Sequence, residues 1–168
     1  MADCYPAQIT IRGVREADLS RSDKERFEAG EWNERGELTA LGEALTAIRE
    51  VAQLRADEVT EYQGDDGPRL RLELWEARWG ASEIRDDWGL PAKLRAAGLA
   101  YTLHDEPCYE WDGEHEDWVP GMDAPRMRSG DSAGDVTLKS RDWKKMKERA
   151  NTPEELRELV DEWFTELL

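Results

Sequence analysis

The chain has 168 residues, of which 39 are acidic and 23 are basic, so its formal net charge is −16. This length suits one domain, or one domain with a small appendage, and it allows a usable core. Eight tryptophans argue against a disordered acidic tail, because such tails contain few aromatic residues. The excess of acid argues against a nonspecific nucleic-acid binder, which needs a basic surface.

Two features of the chain bear on its compartment. No apolar run approaches the roughly 18–20 residues that a membrane helix needs, and the first residues lack the marks of a signal peptide. Cys4 and Cys108 are the two cysteines, and neither lies in a CxxC motif of a redox or zinc site. We therefore expect a cytoplasmic protein with two reduced thiols and no membrane contact.

The amino-terminal part of the chain predicts a strand followed by two helices. Residues 8–14 are rich in β-branched side chains and favour a strand. Ser22 begins a capping box, which predicts a short helix that ends near Ala29. Thr39 is a suitable N-cap for a longer helix that ends near Ala56, because its apolar residues recur at helical spacing.

The next segments predict a hairpin and a broken helix. Residues 58–63 and 69–79 flank a Gly-Asp-Asp-Gly-Pro turn, and the second run alternates leucines with charged residues, which is typical of a half-buried strand. Ser82 can cap a helix that ends at Gly98. Pro91 inside this helix predicts a kink, or a break into two short helices.

The following residues predict further strands and then a loop. Strands are expected at 99–103, 108–111 and 117–119, with the last two in a hairpin around Asp112 and Gly113. The prolines and glycines of residues 122–135 predict a loop or a short linker.

Two helices are expected at the carboxyl end. Ser140 can cap a basic helix over 141–149, and Thr152 with Pro153 and Glu155 forms a strong helix start. The final helix carries an apolar stripe that must pack against another surface. Its members are Leu156, Leu159, Val160, Trp163, Phe164 and Leu167.

This order of elements predicts an α+β fold, in which a mostly antiparallel sheet packs with helices and a helical pair follows at the C-terminus. We expect an α+β domain over residues 1–122. Residues 123–168 are expected to form a loop and two helices that pack on the same domain.

Charge is distributed unevenly along the chain. Residues 96–125 carry eight acids and no lysine or arginine, whereas residues 126–150 have a net charge of +4. From Tyr101 to Trp118, seven carboxylates alternate with aromatic side chains. Like charges this close repel one another unless solvent or a cationic partner offsets the repulsion.

Three interpretations of this segment stay open. It can be a solvated acidic face with Trp111 and Trp118 in the core, or a surface for an external basic partner. It can also contact the cationic stretch of the same chain, which includes Lys139, Arg141, Lys144, Lys145, Lys147 and Arg149.

The leading hypothesis is a non-enzymatic acidic protein that binds a basic partner. Carboxylates spaced like phosphates can occupy a nucleic-acid site, and aromatic side chains supply apolar anchors. The expected contact residues are Asp105, Glu106, Glu110, Trp111, Asp112, Glu114, Glu116, Asp117 and Trp118.

In size and charge the chain is similar to acidic inhibitors made by phages and mobile elements, such as DNA-mimic antirestriction and anti-CRISPR proteins. That similarity implies a partner among the nucleases of host defence. We expect no direct nucleic-acid binding by this protein, which would act as a monomer or a homodimer.

Two other classes of function stay open. A small enzyme or metal-dependent domain would be built on His104, Cys108 and His115 with nearby carboxylates. The chain has no GxxxxGK[ST], GxGxxG or GxSxG motif, so we expect no catalytic residue, metal or cofactor. The third class is an oligomerisation or scaffold domain that uses the apolar stripe of the final helix.

Overall fold

The structure, a computed structural model, describes residues 7–75, 80–105, 113–130 and 136–165. It confirms the expected α+β class. In chain order the elements are β1 (Ala7–Arg12), α1 (Glu16–Leu19), α2 (Asp23–Glu28), α3 (Ala40–Leu54), β2 (Glu58–Gly64), β3 (Gly67–Leu74), a π-helical turn (Glu83–Asp87), α4 (Leu90–Ala96), β4 (Tyr101–Asp105), β5 (Gly113–Trp118), β6 (Arg126–Gly130), β7 (Val136–Thr137), α5 (Ser140–Arg149) and α6 (Pro153–Phe164).

The strands form one antiparallel sheet in the order β2-β3-β1-β4-β5-β6-β7. The part from β1 to β4 has the β-α-β-β-α-β arrangement of a split βαβ fold, with α3 and α4 as the two connecting helices. Strands β5, β6 and β7 extend this sheet beyond β4. The sheet therefore crosses residue 122, where the sequence suggested a division.

The core lies between α3, α4 and one face of the sheet. Successive side chains of a strand point to opposite faces, so the buried Ile9, Ile11, Leu70, Leu72 and Leu103 share one face. They pack in one buried cluster with the apolar sides of the two helices. The opposite face carries polar side chains, including Gln8, Thr10, Arg71, Thr102 and His104.

Local capping explains where α2 and α3 begin. The amide of Glu25 donates to the Ser22 hydroxyl, and the Glu25 carboxylate accepts a 2.7 Å hydrogen bond from the Ser22 amide, which confirms the capping box. The Thr39 hydroxyl accepts a 3.1 Å hydrogen bond from the amide of Gly42. The hairpin of β2 and β3 is confirmed as well.

The helix predicted after Ser82 is broken into two pieces. The π-helical turn ends at Asp87, Gly89 has a positive φ of 61°, and α4 starts at Leu90 with Pro91 in its first turn. Proline suits this position because its missing N–H would have no partner there. Gly98, with a φ of 70°, follows the end of α4 as predicted.

Two expectations about the following strands are wrong. Gly113 begins β5 rather than forming a turn, and β5 pairs with β4 and β6. Residues 108–111 lie outside the described residues. Residues 126–130 form β6, where a loop was expected. Their intrinsic β propensity is low, but they form a strand because they pair with the edge of β5.

The two C-terminal helices are confirmed. The Thr152 hydroxyl caps α6 by accepting a 3.1 Å hydrogen bond from the amide of Glu155. The described residues of the apolar stripe of α6 are half-buried, apart from Phe164, which is exposed. Arg126 of β6 donates to the backbone carbonyls of Glu162 and Thr165 and so holds the end of α6.

Within the described part of the chain, no helix is long and apolar enough to span a membrane.

Candidate polar groove on the open sheet face

Strand β5 carries the central carboxylates of the acidic segment, and its alternation sends them to opposite faces of the sheet. Glu116 pairs in register with Leu103 and points toward the helices. Asp117 pairs with Thr102 and Arg126 and points to the other face. The two side chains are 2% and 1% exposed, respectively.

Glu116 is the centre of a buried ionic network on the helix side. It accepts hydrogen bonds from Arg85 of the π-helical turn at 2.6 Å and from the Tyr101 hydroxyl at 2.5 Å, and Arg95 of α4 lies 3.3 Å away. Burial and the contact with Glu116 raise the pKa of Tyr101 above its ordinary value of 10.0. The Tyr101 hydroxyl therefore remains a donor at neutral pH.

Asp117 is the centre of a second network on the open face. Its carboxylate accepts from Arg128 at 2.8 Å, from Arg126 at 3.1 Å and from the Thr102 hydroxyl at 2.9 Å. Both arginines belong to the cationic stretch that follows the acidic segment. Part of that stretch thus neutralises the acidic segment inside the fold.

The other predicted contact residues are placed differently. The Asp105 carboxylate accepts hydrogen bonds from the amides of Glu114 and Ala81, at 2.6 and 2.9 Å. Glu114 pairs with Arg85 at 2.9 Å, while its side chain stays 45% exposed. Trp118 packs in the core. The remaining predicted contacts, Glu106, Glu110, Trp111 and Asp112, lie outside the described residues.

A polar groove of about 270 Å³ lies over the open face of the sheet, beside Asp117. It crosses strands β2, β3, β1, β4, β5 and β6, which each contribute side chains from the face that α3 and α4 leave uncovered. The lining residues are Gln8, Thr10, Tyr62, Arg71, Thr102, His104, His115, Asp117 and Arg128.

Two arginines contribute guanidinium donors to the groove. The Arg128 side chain is 3% exposed, and the Arg71 side chain is 36% exposed. In each, the Nε atom is buried without a hydrogen-bond partner among the described residues. The outer nitrogen of Arg71 lies 3.9 Å from Glu73, and its guanidinium stacks 5.0 Å from the Tyr62 ring centre. A buried N–H without an acceptor costs about 1–3 kcal/mol, so neither guanidinium has its full set of hydrogen bonds within the described part of the chain.

The two histidines of the chain meet in this groove. His104 of β4 and His115 of β5 are directly paired, and their rings stack with centroids 4.9 Å apart and planes 10° from parallel. Among the described residues, no group of three or more His, Cys, Asp or Glu side chains could hold a metal ion. Cys108, the third member of the predicted metal site, lies outside the described residues.

Sequence reasoning identified His104, His115 and Asp117 but not the other residues of the groove. The sequence contains one signal for the other residues of the groove. Arg69 and Arg71 alternate with the leucines of β3, so both must face away from the core. The sequence could not show that β1 lies between β3 and β4, and this order brings Gln8 and Thr102 into the same groove.

Comparisons of the chain with family models, curated proteins and solved structures found no match.

Proposed function

We propose that this protein binds a small ligand with a phosphate group in the groove on the open sheet face. The observation that carries this proposal is the pair of buried Nε donors of Arg71 and Arg128, which line the same groove. Arginine is suited to phosphate because its planar guanidinium presents several donors in a fixed geometry. The Tyr62, His104 and His115 rings supply flat surfaces for the remainder of the ligand.

The negative net charge does not oppose binding at this site. Asp117 is the one carboxylate among the described lining residues, and it is already paired with Arg126 and Arg128. Glu73, which is not a lining residue, lies 3.9 Å from Arg71 and is paired with it. Charges in solvent are screened over about 8 Å at physiological ionic strength, so the acids on distant surfaces contribute little to the potential in the groove.

The test is a calorimetric titration with inorganic phosphate and with adenosine monophosphate. Arg71→Gln removes one donor at a partly exposed position and should weaken binding about 10-fold, as expected for one charge-assisted hydrogen bond. Arg35→Gln is the matched control, because Arg35 is exposed in the loop after α2. Equal affinity of Arg71→Gln, Arg35→Gln and the unaltered protein would overturn the proposal, as would no binding at all.

The acidic-inhibitor hypothesis is a second proposal, and the observation that favours it is the outer surface of α6. We propose a non-enzymatic, cytoplasmic protein that binds a basic nucleic-acid-handling enzyme of host defence, as antirestriction and anti-CRISPR proteins do. Five carboxylates of α6 are exposed beside a single arginine, Arg157. They are Glu154, Glu155, Glu158, Asp161 and Glu162.

This second proposal needs variants that leave the buried ion pairs intact. Reversing Glu116 or Asp117 would destroy internal networks, so a change in binding would be uninterpretable. Glu154→Lys, Glu158→Lys and Glu162→Lys together reverse an exposed row instead, and reversal of Glu106, Glu110 and Asp112 tests the predicted segment. We expect a basic partner that binds the unaltered protein to bind at least one of these two variants no longer. We also expect salt to release this partner from the unaltered protein. Retention by both variants, with unchanged salt dependence, excludes the hypothesis.

A further inference from the structure

A second cavity, of about 280 Å³, lies between β6, α5 and α6. It belongs neither to the groove nor to the acidic segment. Three of its lining residues, Arg141, Lys145 and Arg149, are spaced by four along α5 and therefore lie on one face of that helix. They form a cationic row about 12 Å long at the helical rise of 1.5 Å per residue.

Three apolar side chains line the same cavity. Met127 of β6, Met146 of α5 and Trp163 of α6 line it, and Met146 is 7% exposed. Methionine side chains are flexible and polarisable, so they adapt to the shape of an apolar ligand. The cavity lining thus combines cationic and apolar side chains.

Two buried donors lie in the same lining. The Nε atom of Arg126 and the indole Nε1 atom of Trp163 have no hydrogen-bond partner within the described part of the chain. The Arg126 side chain is 9% exposed, and its other nitrogens are held by Asp117 and by the end of α6. Arg126 is therefore fixed in place at the border of the cavity.

Charge in the cavity favours an anion. Arg126 is already paired with Asp117, whereas Arg141, Lys145 and Arg149 face one carboxylate among the described lining residues, that of Asp142, which lies 3.7 Å from Arg141. We propose that this cavity binds a small amphipathic acid, with its carboxylate or sulfonate against the cationic row and its apolar body against the methionines and Trp163. This proposal is independent of phosphate binding in the groove.

The probe for this site is 1-anilinonaphthalene-8-sulfonate, an amphipathic anion whose fluorescence rises on binding. Replacing Arg141, Lys145 and Arg149 together by glutamine should weaken its binding at least about 10-fold, because the anion loses its charge-assisted contacts. Lys144→Gln with Lys147→Gln is the matched control, since both residues are exposed on α5 but do not line the cavity. This control should bind the probe as the unaltered protein does.

Three further measurements separate this site from a merely apolar patch. N-phenyl-1-naphthylamine, the uncharged analogue of the probe, should bind at least about 10-fold more weakly, because it lacks the charged group. Decanoate should displace the bound probe, and Trp163→Phe should lower the affinity while leaving the circular dichroism spectrum unchanged. Equal affinity for the charged and uncharged probes, or equal loss in the two sets of glutamine variants, would overturn the proposal.

Discussion

Glu31 is a fully buried carboxylate in the loop between α2 and α3, where arginines surround it. It accepts hydrogen bonds from Arg26 at 2.9 Å and from Arg49 at 2.7 Å, and Arg21 lies 3.9 Å away. Burial raises the pKa of Glu31, but the hydrogen bonds from Arg49 and Arg26 outweigh it, so the pKa lies below its ordinary value of 4.5. This ion cluster ties α2 to α3 and so helps to fix the first helices on the sheet.

A carboxylate whose pKa is lowered by folding stabilises the protein above its unfolded pKa and loses that effect as pH falls through the folded pKa. We therefore expect Glu31→Gln to lower the free energy of unfolding by about 3–5 kcal/mol at pH 7, since it breaks a buried ion pair. As the pH falls below about 4.5, the variant should also lose less free energy of unfolding than the unaltered protein does. Urea unfolding across this pH range measures both effects, and the exposed Glu34→Gln, which should change neither, is the control.

Tyr101 lies on β4, where its hydroxyl links two charged groups. It donates to Glu116 and accepts from Arg95, at 2.5 Å in each case. Tyr101→Phe keeps the ring in the core but removes both hydrogen bonds, so it should lower the free energy of unfolding by about 1–3 kcal/mol. An unchanged urea midpoint would mean that Arg85 and Arg95 alone satisfy the Glu116 carboxylate.

Helix α3 shows how packing between elements can reverse a local preference. Gly42 lies in its first turn and is buried against the loop that contains Glu31. A methyl group on Gly42 would fall far inside contact distance of the Glu31 carbonyl oxygen, which is backbone and cannot rotate away. Glycine is therefore required here by a close approach, although its φ is ordinary.

In an exposed helix, replacing glycine by alanine stabilises the fold by about 1 kcal/mol. At position 42 the clash should dominate, so we expect Gly42→Ala to lower the free energy of unfolding by about 1–3 kcal/mol. Glu43→Ala, at the next and exposed position of α3, is the control and should be nearly neutral. Thermal unfolding of the two variants would contradict this argument if Gly42→Ala were the more stable one.

The whole molecule carries a strong negative charge that its fold only partly neutralises. The buried carboxylates of Glu31, Glu116 and Asp117 are paired with arginines, whereas the acids of α6 are exposed. The exposed acids repel one another in the compact state, and that repulsion is reduced when salt screens it. The buried pairs are screened much less.

Raising sodium chloride from about 0.01 M to 0.15 M shortens the screening length from about 30 Å to 8 Å, so the urea midpoint of unfolding should rise. A variant with Glu154→Gln, Glu158→Gln and Glu162→Gln should show a smaller rise, because it carries less exposed charge. A midpoint that falls with salt in both proteins would show that attraction between paired charges dominates the net electrostatic effect.

Features that depend only on residues close together in the sequence were determined by the sequence itself. Ser22 and Thr39 define the starts of α2 and α3 because their hydroxyls reach amides three residues away. The leucines of β3 identify its buried face because strand side chains alternate. The break before Pro91 follows from backbone sterics alone.

The tertiary structure decided which contacts the carboxylates of the acidic segment make and which residues line the groove. Glu116 and Asp117 are adjacent in sequence, yet pairing of β5 with β4 and β6 sends one to Arg85 and the other to Arg128. Strand β6 itself forms because β5 offers a free edge, and its residues alone do not favour a strand. Strand order and register are set by contacts between distant segments, which no local pattern encodes.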